Sequence, residues 1–284
     1  MPTEVRAWIE ESPYCRDLGV KLKQLDEQGC TLELPYVPQN TNGLALHGGV
    51  QATLASLSAQ VAMRHSSRNG EIDPCSVALQ LDYVRGVRDQ TVTAVTRLLR
   101  RTRDLGFFET HMHDASGALI AHATSTIGER RSQALDDDAV VARKELDTQG
   151  IHLFNEAVDA IPFLKRREVQ AIGGVPGCVE LSLPAAAHNL DLDGRIHEGA
   201  LLTVLDASGA TCPWTKTAPT ASAFGVTVAL QAQVFARPAA QALIARATEI
   251  ARSGQLCWCS VELFGAEDRK RCAIGSVAYR FGNG

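Results

Sequence analysis

Two short strings in this 284-residue sequence set small and polar residues where chemistry can be done. His47-Gly48-Gly49 precedes an Ala- and Leu-rich segment, and His197-Glu198-Gly199 precedes a second such segment 150 residues later. The first N–H groups of a helix are unpaired and carry about half a positive charge between them. Glycine there lets a ligand approach the backbone closely, so an oxygen that gains negative charge in a reaction can be held. Asn40 and Asn189 stand upstream of the two histidines. Asp206 lies inside the second segment, between Leu201, Val204 and Leu205 and the small run Ala207-Ser208-Gly209-Ala210. An unpaired carboxylate in such a buried helix is costly, which argues for a function. Taken singly, the glycine pair could be a tight turn and Asp206 a solvent-facing residue; the constellation points to a site.

These residues are positioned by a duplicated unit. Val77-Ala78-Leu79-Gln80 recurs 151 residues later as Val228-Ala229-Leu230-Gln231, and Ser12-Pro13-Tyr14 faces Ile161-Pro162-Phe163 at a shift of 149. A nearly constant offset over collinear matches marks two homologous halves. The expected division is a first unit at 1–130, a charged linker at 131–145 containing Asp136-Asp137-Asp138, and a second unit at 146–284. Each half opens with a short amphipathic helix, at 4–11 or 151–160, stopped by Pro13 or Pro162. A strand at 31–34 or 179–183 and an Asn/Asp/Gly-rich loop lead to the histidine step. Beyond it, Val50, Leu54, Leu57 and Val61 recur at helical spacing while Ala52, Ala55, Ala59 and Ala62 fill the other faces. That helix should be buried nearly all round. Period-two alternation then predicts strands at 77–83, 92–96, 107–113 and 119–127, and at 226–235, 242–250, 256–264 and 271–281. Turns such as Asp114-Ala115-Ser116-Gly117 join neighbours as hairpins. One buried helix against one curved antiparallel sheet, twice over, is an α+β architecture.

Composition removes several function classes. A net charge of -4, from 28 Lys+Arg against 32 Asp+Glu, is not that of a general nucleic-acid binder. The most apolar stretch, 50–63, is too short to span a bilayer. Met1-Pro2-Thr3-Glu4 runs directly into a mixed-charge helical pattern, so no signal peptide and a cytoplasmic location are expected. The eight cysteines contain no C-x-x-C pair, and Cys257 and Cys259 are spaced for one face of a strand. They read as reduced core residues, and neither a metal nor a cofactor is expected.

With the motifs in hand, the chain resembles the hotdog-fold acyl-CoA thioesterases of the phenylacetate-pathway type. The resemblance rests on Asn40-Thr41-Asn42-Gly43, His47-Gly48-Gly49, an acidic residue nine positions after a histidine, and a Ser or Thr (Ser76, Thr227) opening an alternating strand. It spans almost the whole chain, once per half. It implies a tandem (double) hotdog, each unit a long central helix wrapped by a sheet, the two sheets continuous. It also implies active sites between units, one supplying the helix N-terminus and Asn, the other the acid. Nine positions after His197 stands Asp206, but nine after His47 stands Ser56, and Glu198 replaces the glycine found at 48. One junction would therefore unite Asn40, His47, Gly48 and Gly49 with Asp206 and Thr227. The other, depleted, would unite Asn189, His197, Glu198 and Gly199 with Ser56 and Ser76.

The reaction implied is hydrolysis of an acyl-CoA or acyl-carrier-protein thioester at one asymmetric site. The Gly48 and Gly49 N–H groups would hold the oxyanion, Asp206 would act as general base or nucleophile, and Asn40 would orient the water or the acyl group. Thr227 would hydrogen-bond that water or Asp206, and His47 would pin the loop. The basic run Arg97, Arg100, Arg101 and Arg103 could meet nucleotide phosphates. Two other readings remain open at this point: a non-catalytic acyl-thioester binder, and a hydratase or dehydratase, which the lack of a second His near Asp206 disfavours. Further association of double units is left open.

Overall fold

A computed structural model describes residues 3–67, 73–129, 146–148, 151–217 and 224–282. The expected linker at 131–145 lies outside the described residues. The first unit runs α1 (Thr3–Glu11), α2 (Pro13–Leu18), β1 (Lys21–Asp26), β2 (Gly29–Leu34), α3 (Gly48–Ser66), β3 (Pro74–Tyr83), β4 (Val92–Arg101), β5 (Leu105–His113) and β6 (Leu119–Glu129). The second repeats it as α4 (Ile151–Asp159), α5 (Pro162–Arg166), β7 (Gln170–Val175), β8 (Cys178–Leu183), α6 (Glu198–Thr211), β9 (Gly225–Val234), β10 (Leu243–Ser253), β11 (Leu256–Gly265) and β12 (Arg271–Phe281). Short 3-10 turns at Pro38–Asn40 and Ala187–Asn189 precede the two histidine steps. No helix among the described residues is long and apolar enough to cross a membrane.

All strands pair antiparallel into one 12-stranded sheet, ordered β1-β2-β4-β5-β6-β3-β9-β12-β11-β10-β8-β7. The seam between units is β3 against β9, where Gln80 is paired with Gln231, its own counterpart in the repeat. A twofold relation between the halves therefore passes through that pair, as in a symmetric dimer whose subunits share a sheet. The α+β tandem hotdog read from the sequence is the fold observed.

Two local expectations are corrected. Pro13 and Pro162 do not simply stop a helix: each sits at the first positions of a second short helix, α2 or α5, where its missing N–H costs nothing. The strands β1 and β7 were not foreseen. β1 buries only Leu22 and Leu25, and a bulge between Leu22 and Gln24 breaks the alternation that would have marked it. In β7 the register shifts likewise between Ala171 and Gly173.

α3 and α6 cross on the inner face of the sheet. The fifteen residues Gly49 to Met63 are all buried, as the all-round apolar pattern demands. The crossing is close because glycine faces threonine twice. A Cβ on Gly49 would stand 2.9 Å from Thr203 Cα, and one on Gly199 would stand 2.6 Å from Thr53 Oγ1. Between them the Tyr14 hydroxyl bonds both Thr53 and Thr203 hydroxyls at 3.1 Å. Gly48 lies against Asp206 and Glu198 against Ser56, so the helices run antiparallel and create two junctions. The units also tie each other's loops: the Tyr14 N–H donates to Leu190 O at 3.2 Å, and the Phe163 N–H to Thr41 O at 3.1 Å.

Candidate active site

At the first junction, α3 begins at Gly48 because His47 caps it. His47 is extended, and its Nδ1 accepts the Gly49 N–H at 3.0 Å. Burial pushes the imidazole pKa down to about 4, so the ring is neutral with its proton on Nε2. The 3.8 Å approach of His47 Nδ1 to Asp206 Oδ2 is therefore not an ion pair at neutral pH. The cap divides the two glycines. The Gly49 N–H is engaged by His47 and its Cα serves the helix crossing, whereas the Gly48 N–H has no acceptor among the described residues. Gly48 is thus the open helix-terminal donor, and the pair expected from the sequence reduces to one.

Asp206 reaches this donor from the other unit. A Cβ on Gly48 would stand 2.7 Å from Asp206 Oδ2, so any larger residue would collide with the carboxylate. Asp206 is buried, and burial raises its pKa to about 6, against the opposing pull of the Thr227 hydroxyl, the Gly49 N–H and the Tyr83 hydroxyl. Even so, Oδ1 has no hydrogen-bond partner among the described residues. A carboxylate with an open lone pair and a pKa near neutrality is suited to accept a proton or to attack a carbon.

The Thr227 hydroxyl bonds Asp206, whereas Asn40 is tied down in the loop before the cap. Its Nδ2 donates to Leu18 O at 2.9 Å, and its carbonyl accepts the His47 N–H at 3.0 Å. Asn189 does the same in the second unit, donating to Arg167 O at 3.2 Å and accepting from the His197 N–H at 2.9 Å. Repetition in both halves marks these asparagines as pins of the loop before the cap; Asn40 Oδ1 stays without a partner among the described residues. Tyr83, at the end of β3, was not foreseen. Its hydroxyl donates to Gly48 O at 3.2 Å, and burial, followed by the Asp206 charge, raises its pKa well above the usual phenol value. Its counterpart by the repeat offset is Val234.

The second junction is built differently. His197 caps α6 as His47 caps α3, with Nδ1 accepting the Gly199 N–H at 2.9 Å, and its ring stacks on Tyr14 at 4.4 Å. The helix starts with Glu198, whose side chain is held by the other unit. Ser56 Oγ donates to Glu198 Oε1 at 2.6 Å, the Ser76 N–H to Oε2 at 3.3 Å, and Gln60 Nε2 to Ser56 Oγ at 2.9 Å. The basic run belongs to neither helix start. Arg101 lies on Met63, about 22 Å along α3 from Gly48. Arg97 and Arg101 are paired with Glu109 and Glu129. A cleft of about 440 Å³, lined by Leu99, Phe107, Thr124, Gln231 and Ile274 among others, opens on the opposite face of the sheet from Asp206.

Comparison with known proteins agrees with this architecture. Residues 45–121, from the loop before α3 into β6, match the model of the Thioesterase superfamily. The medium/long-chain acyl-CoA thioesterase YigI of Escherichia coli K12 is 27% identical over 139 residues, covering 42% of this chain and 86% of its own. Among solved structures, a hot dog fold protein of Alicyclobacillus acidocaldarius superposes with a TM-score of 0.68 at 15% identity, over 93% of this chain and 96% of that one. The tesB protein of Mycobacterium avium subs paratuberculosis superposes with a TM-score of 0.67 at 13% identity, over 99% and 98%. The acyl-CoA thioesterase II TesB2 of Mycobacterium marinum gives 0.65 at 11%, over 93% and 96%. The matched stretch lies within the first unit, and the fold of the whole chain is the tandem hotdog.

Proposed function

We propose that the chain hydrolyses acyl-CoA thioesters at the Gly48–Asp206 junction, and that the Glu198–Ser56 junction holds the helices together without turning over substrate. The reading is carried by one observation: a buried, incompletely bonded carboxylate lies against a helix-initial glycine whose N–H is open. The thioester carbonyl oxygen accepts from the Gly48 N–H, and the helix end offsets the negative charge formed as the carbonyl becomes tetrahedral. Ionised Asp206 either takes a proton from the attacking water or adds to the carbonyl itself. The C–S bond then breaks and CoA leaves as its thiolate; on the second route a water then hydrolyses the acyl-aspartyl anhydride, releasing the acid and regenerating the carboxylate. Thr227 and Tyr83 orient the carboxylate. Asn40 and His47 act as positioning residues, keeping the loop and cap in the conformation that turns the Gly48 N–H outward.

YigI and TesB2 are named as acting on acyl-CoA, which supports CoA as the carrier; the same chemistry would accept an acyl-carrier-protein thioester. The test is release of free thiol from a panel of acyl-CoA and acyl-carrier-protein substrates. Wild-type protein should turn over, and Asp206→Asn should lower kcat/KM by at least about 100-fold. Gly48→Ala should fall comparably, since its methyl would meet the carboxylate. Undiminished turnover in Asp206→Asn would remove the site. Tight acyl-CoA binding without hydrolysis in the wild type would make the protein a binder.

A further inference from the structure

β5 and β6 carry a side-chain cluster that thioester chemistry leaves unused. Phe108, Thr110 and Met112 are buried toward the helices, so the alternate residues Glu109, His111 and His113 project from the opposite face of the sheet. β6 lies antiparallel beside β5, and its register sets His122 directly opposite His111. The His111 and His122 ring centroids are 4.9 Å apart, and His122 Nε2 is 3.3 Å from Glu109 Oε1. Ligating atoms of Glu109, His111 and His122 all lie within 4.8 Å of one another, and all three residues are half-buried.

We propose that Glu109, His111 and His122 bind a borderline divalent cation of the Zn²⁺ kind on the outer face of the first unit. Around tetrahedral Zn²⁺, with bonds of about 2.0–2.1 Å, neighbouring donors stand about 3.4 Å apart. The Glu109–His122 edge already has that length, and a ligating atom of His111 lies within 4.8 Å of both. Two neutral imidazoles and one carboxylate suit Zn²⁺, Ni²⁺ or Cu²⁺ better than the all-oxygen preference of Mg²⁺ or Ca²⁺. Arg97 engages Glu109 through Oε2 at 3.3 Å, which leaves Oε1 facing the imidazoles. Three protein donors leave a fourth position for water or a ligand atom. The 440 Å³ cleft lies close by on the sheet, since Thr124, the cross-strand partner of Glu109, lines it. The framework needs no rearrangement, since strand pairing alone sets the ligand spacing.

The experiment titrates ZnSO₄ into the chelator-stripped full chain at pH 7.5 by calorimetry. The comparison set is wild type, His111→Ala, His122→Ala, Glu109→Gln and, as a remote control, His152→Ala. One Zn²⁺ per wild-type chain is expected, with affinity falling at least about 10-fold in each histidine variant, at or above the loss seen when a mere ligand-supporting group is removed. The control should match wild type. Zn²⁺ should raise the wild-type melting temperature and not that of His122→Ala. These side chains project from the sheet face opposite Gly48 and Asp206, so metal-free thioester hydrolysis should be equal in all variants, which separates this result from the fate of the proposed hydrolysis. No uptake by wild type at about 100 μM metal, or uptake undiminished in both His111→Ala and His122→Ala, would overturn the proposal.

Discussion

Ser56 Oγ donates to Glu198 Oε1 at 2.6 Å, and this bond is the Gly48–Asp206 contact with its partners exchanged. Both junctions retain one carboxyl group. In one it reaches from the middle of α6 to a bare helix start on α3; in the other it grows from the helix start of α6 and is bonded by a serine in the middle of α3. The two helix starts therefore differ in composition. α3 starts with glycine, whereas α6 starts with Glu198, whose carboxyl group is bonded by Ser56 and the Ser76 N–H.

Glu198→Gln and Ser56→Ala should consequently leave acyl-CoA turnover within a few-fold of wild type. Ser56→Ala should nevertheless lower stability by about 1–3 kcal/mol in a denaturant titration, because a buried carboxyl oxygen loses its short hydrogen bond. A tenfold or greater loss of kcat/KM in Glu198→Gln would instead put the working chemistry at the second junction.

The raised pKa of Asp206 ties activity to a stability cost. With a folded value of about 6 against about 3.9 for an unfolded Asp, protonation is favoured by folding. The stability associated with the protonated form is fully present below pH 4 and is lost as pH rises through 6. Asp206→Asn carries no such charge and should be more stable than wild type by up to about 3 kcal/mol above pH 6, the two converging below pH 4. The kcat/KM of the wild type should rise across the same window and level off above pH 7, because either route needs the ionised carboxylate. Denaturant titrations and initial rates over pH 4–8 test both limbs; a flat rate profile would detach Asp206 from catalysis.

His47 titrates in the opposite sense. Its folded pKa is held at about 4, below the ordinary 6.5, so its contribution is present above pH 6.5 and is lost as pH falls toward 4. Over that window each such histidine removes up to about 1.4 kcal/mol per pH unit. His47→Asn keeps an acceptor for the Gly49 N–H, as a good N-cap residue does, without the imidazole. Its acid unfolding midpoint should lie lower than that of wild type while stability at pH 8 changes by less than about 1 kcal/mol. An unchanged acid limb would show that His47 is protonated without loss of the cap.

The repeat was legible because Val77–Gln80 and Val228–Gln231 are the strands that meet at the seam, where both copies must satisfy the same neighbours. Position nine after each histidine, singled out by the resemblance, was informative because the crossing of α3 and α6 brings it to the other helix's start. What stayed hidden depends on side-chain reach or register. Nothing in the sequence says that His47 takes the Gly49 N–H and leaves that of Gly48 open, or that Tyr83 turns toward Asp206. The Glu109–His111 spacing is visible in the chain, but His122 joins them only once β5 and β6 are in register. β1 and β7 escaped because edge strands with bulges and few buried residues carry little alternation.

The exchanged carboxyl groups also define a transplant. Ser56→Asp alone would set a second carboxyl within bonding distance of Glu198, and the buried repulsion should cost about 3 kcal/mol or more. Adding Glu198→Gly removes the repulsion and recreates at the second junction the arrangement of Gly48 and Asp206. Introduced together into an Asp206→Asn background, the two changes should restore stability relative to Ser56→Asp and return acyl-CoA hydrolysis to at least about tenfold above Asp206→Asn. Recovery should remain incomplete, since Val234 stands where the first junction has Tyr83 and Ser76 stands where it has Thr227. A further Val234→Tyr change should raise the rate again. If the folded multiple variant stayed as inactive as Asp206→Asn, a carboxylate facing a helix-initial glycine would not be sufficient, and the burden of catalysis would shift to groups such as Tyr83 that only the first junction possesses.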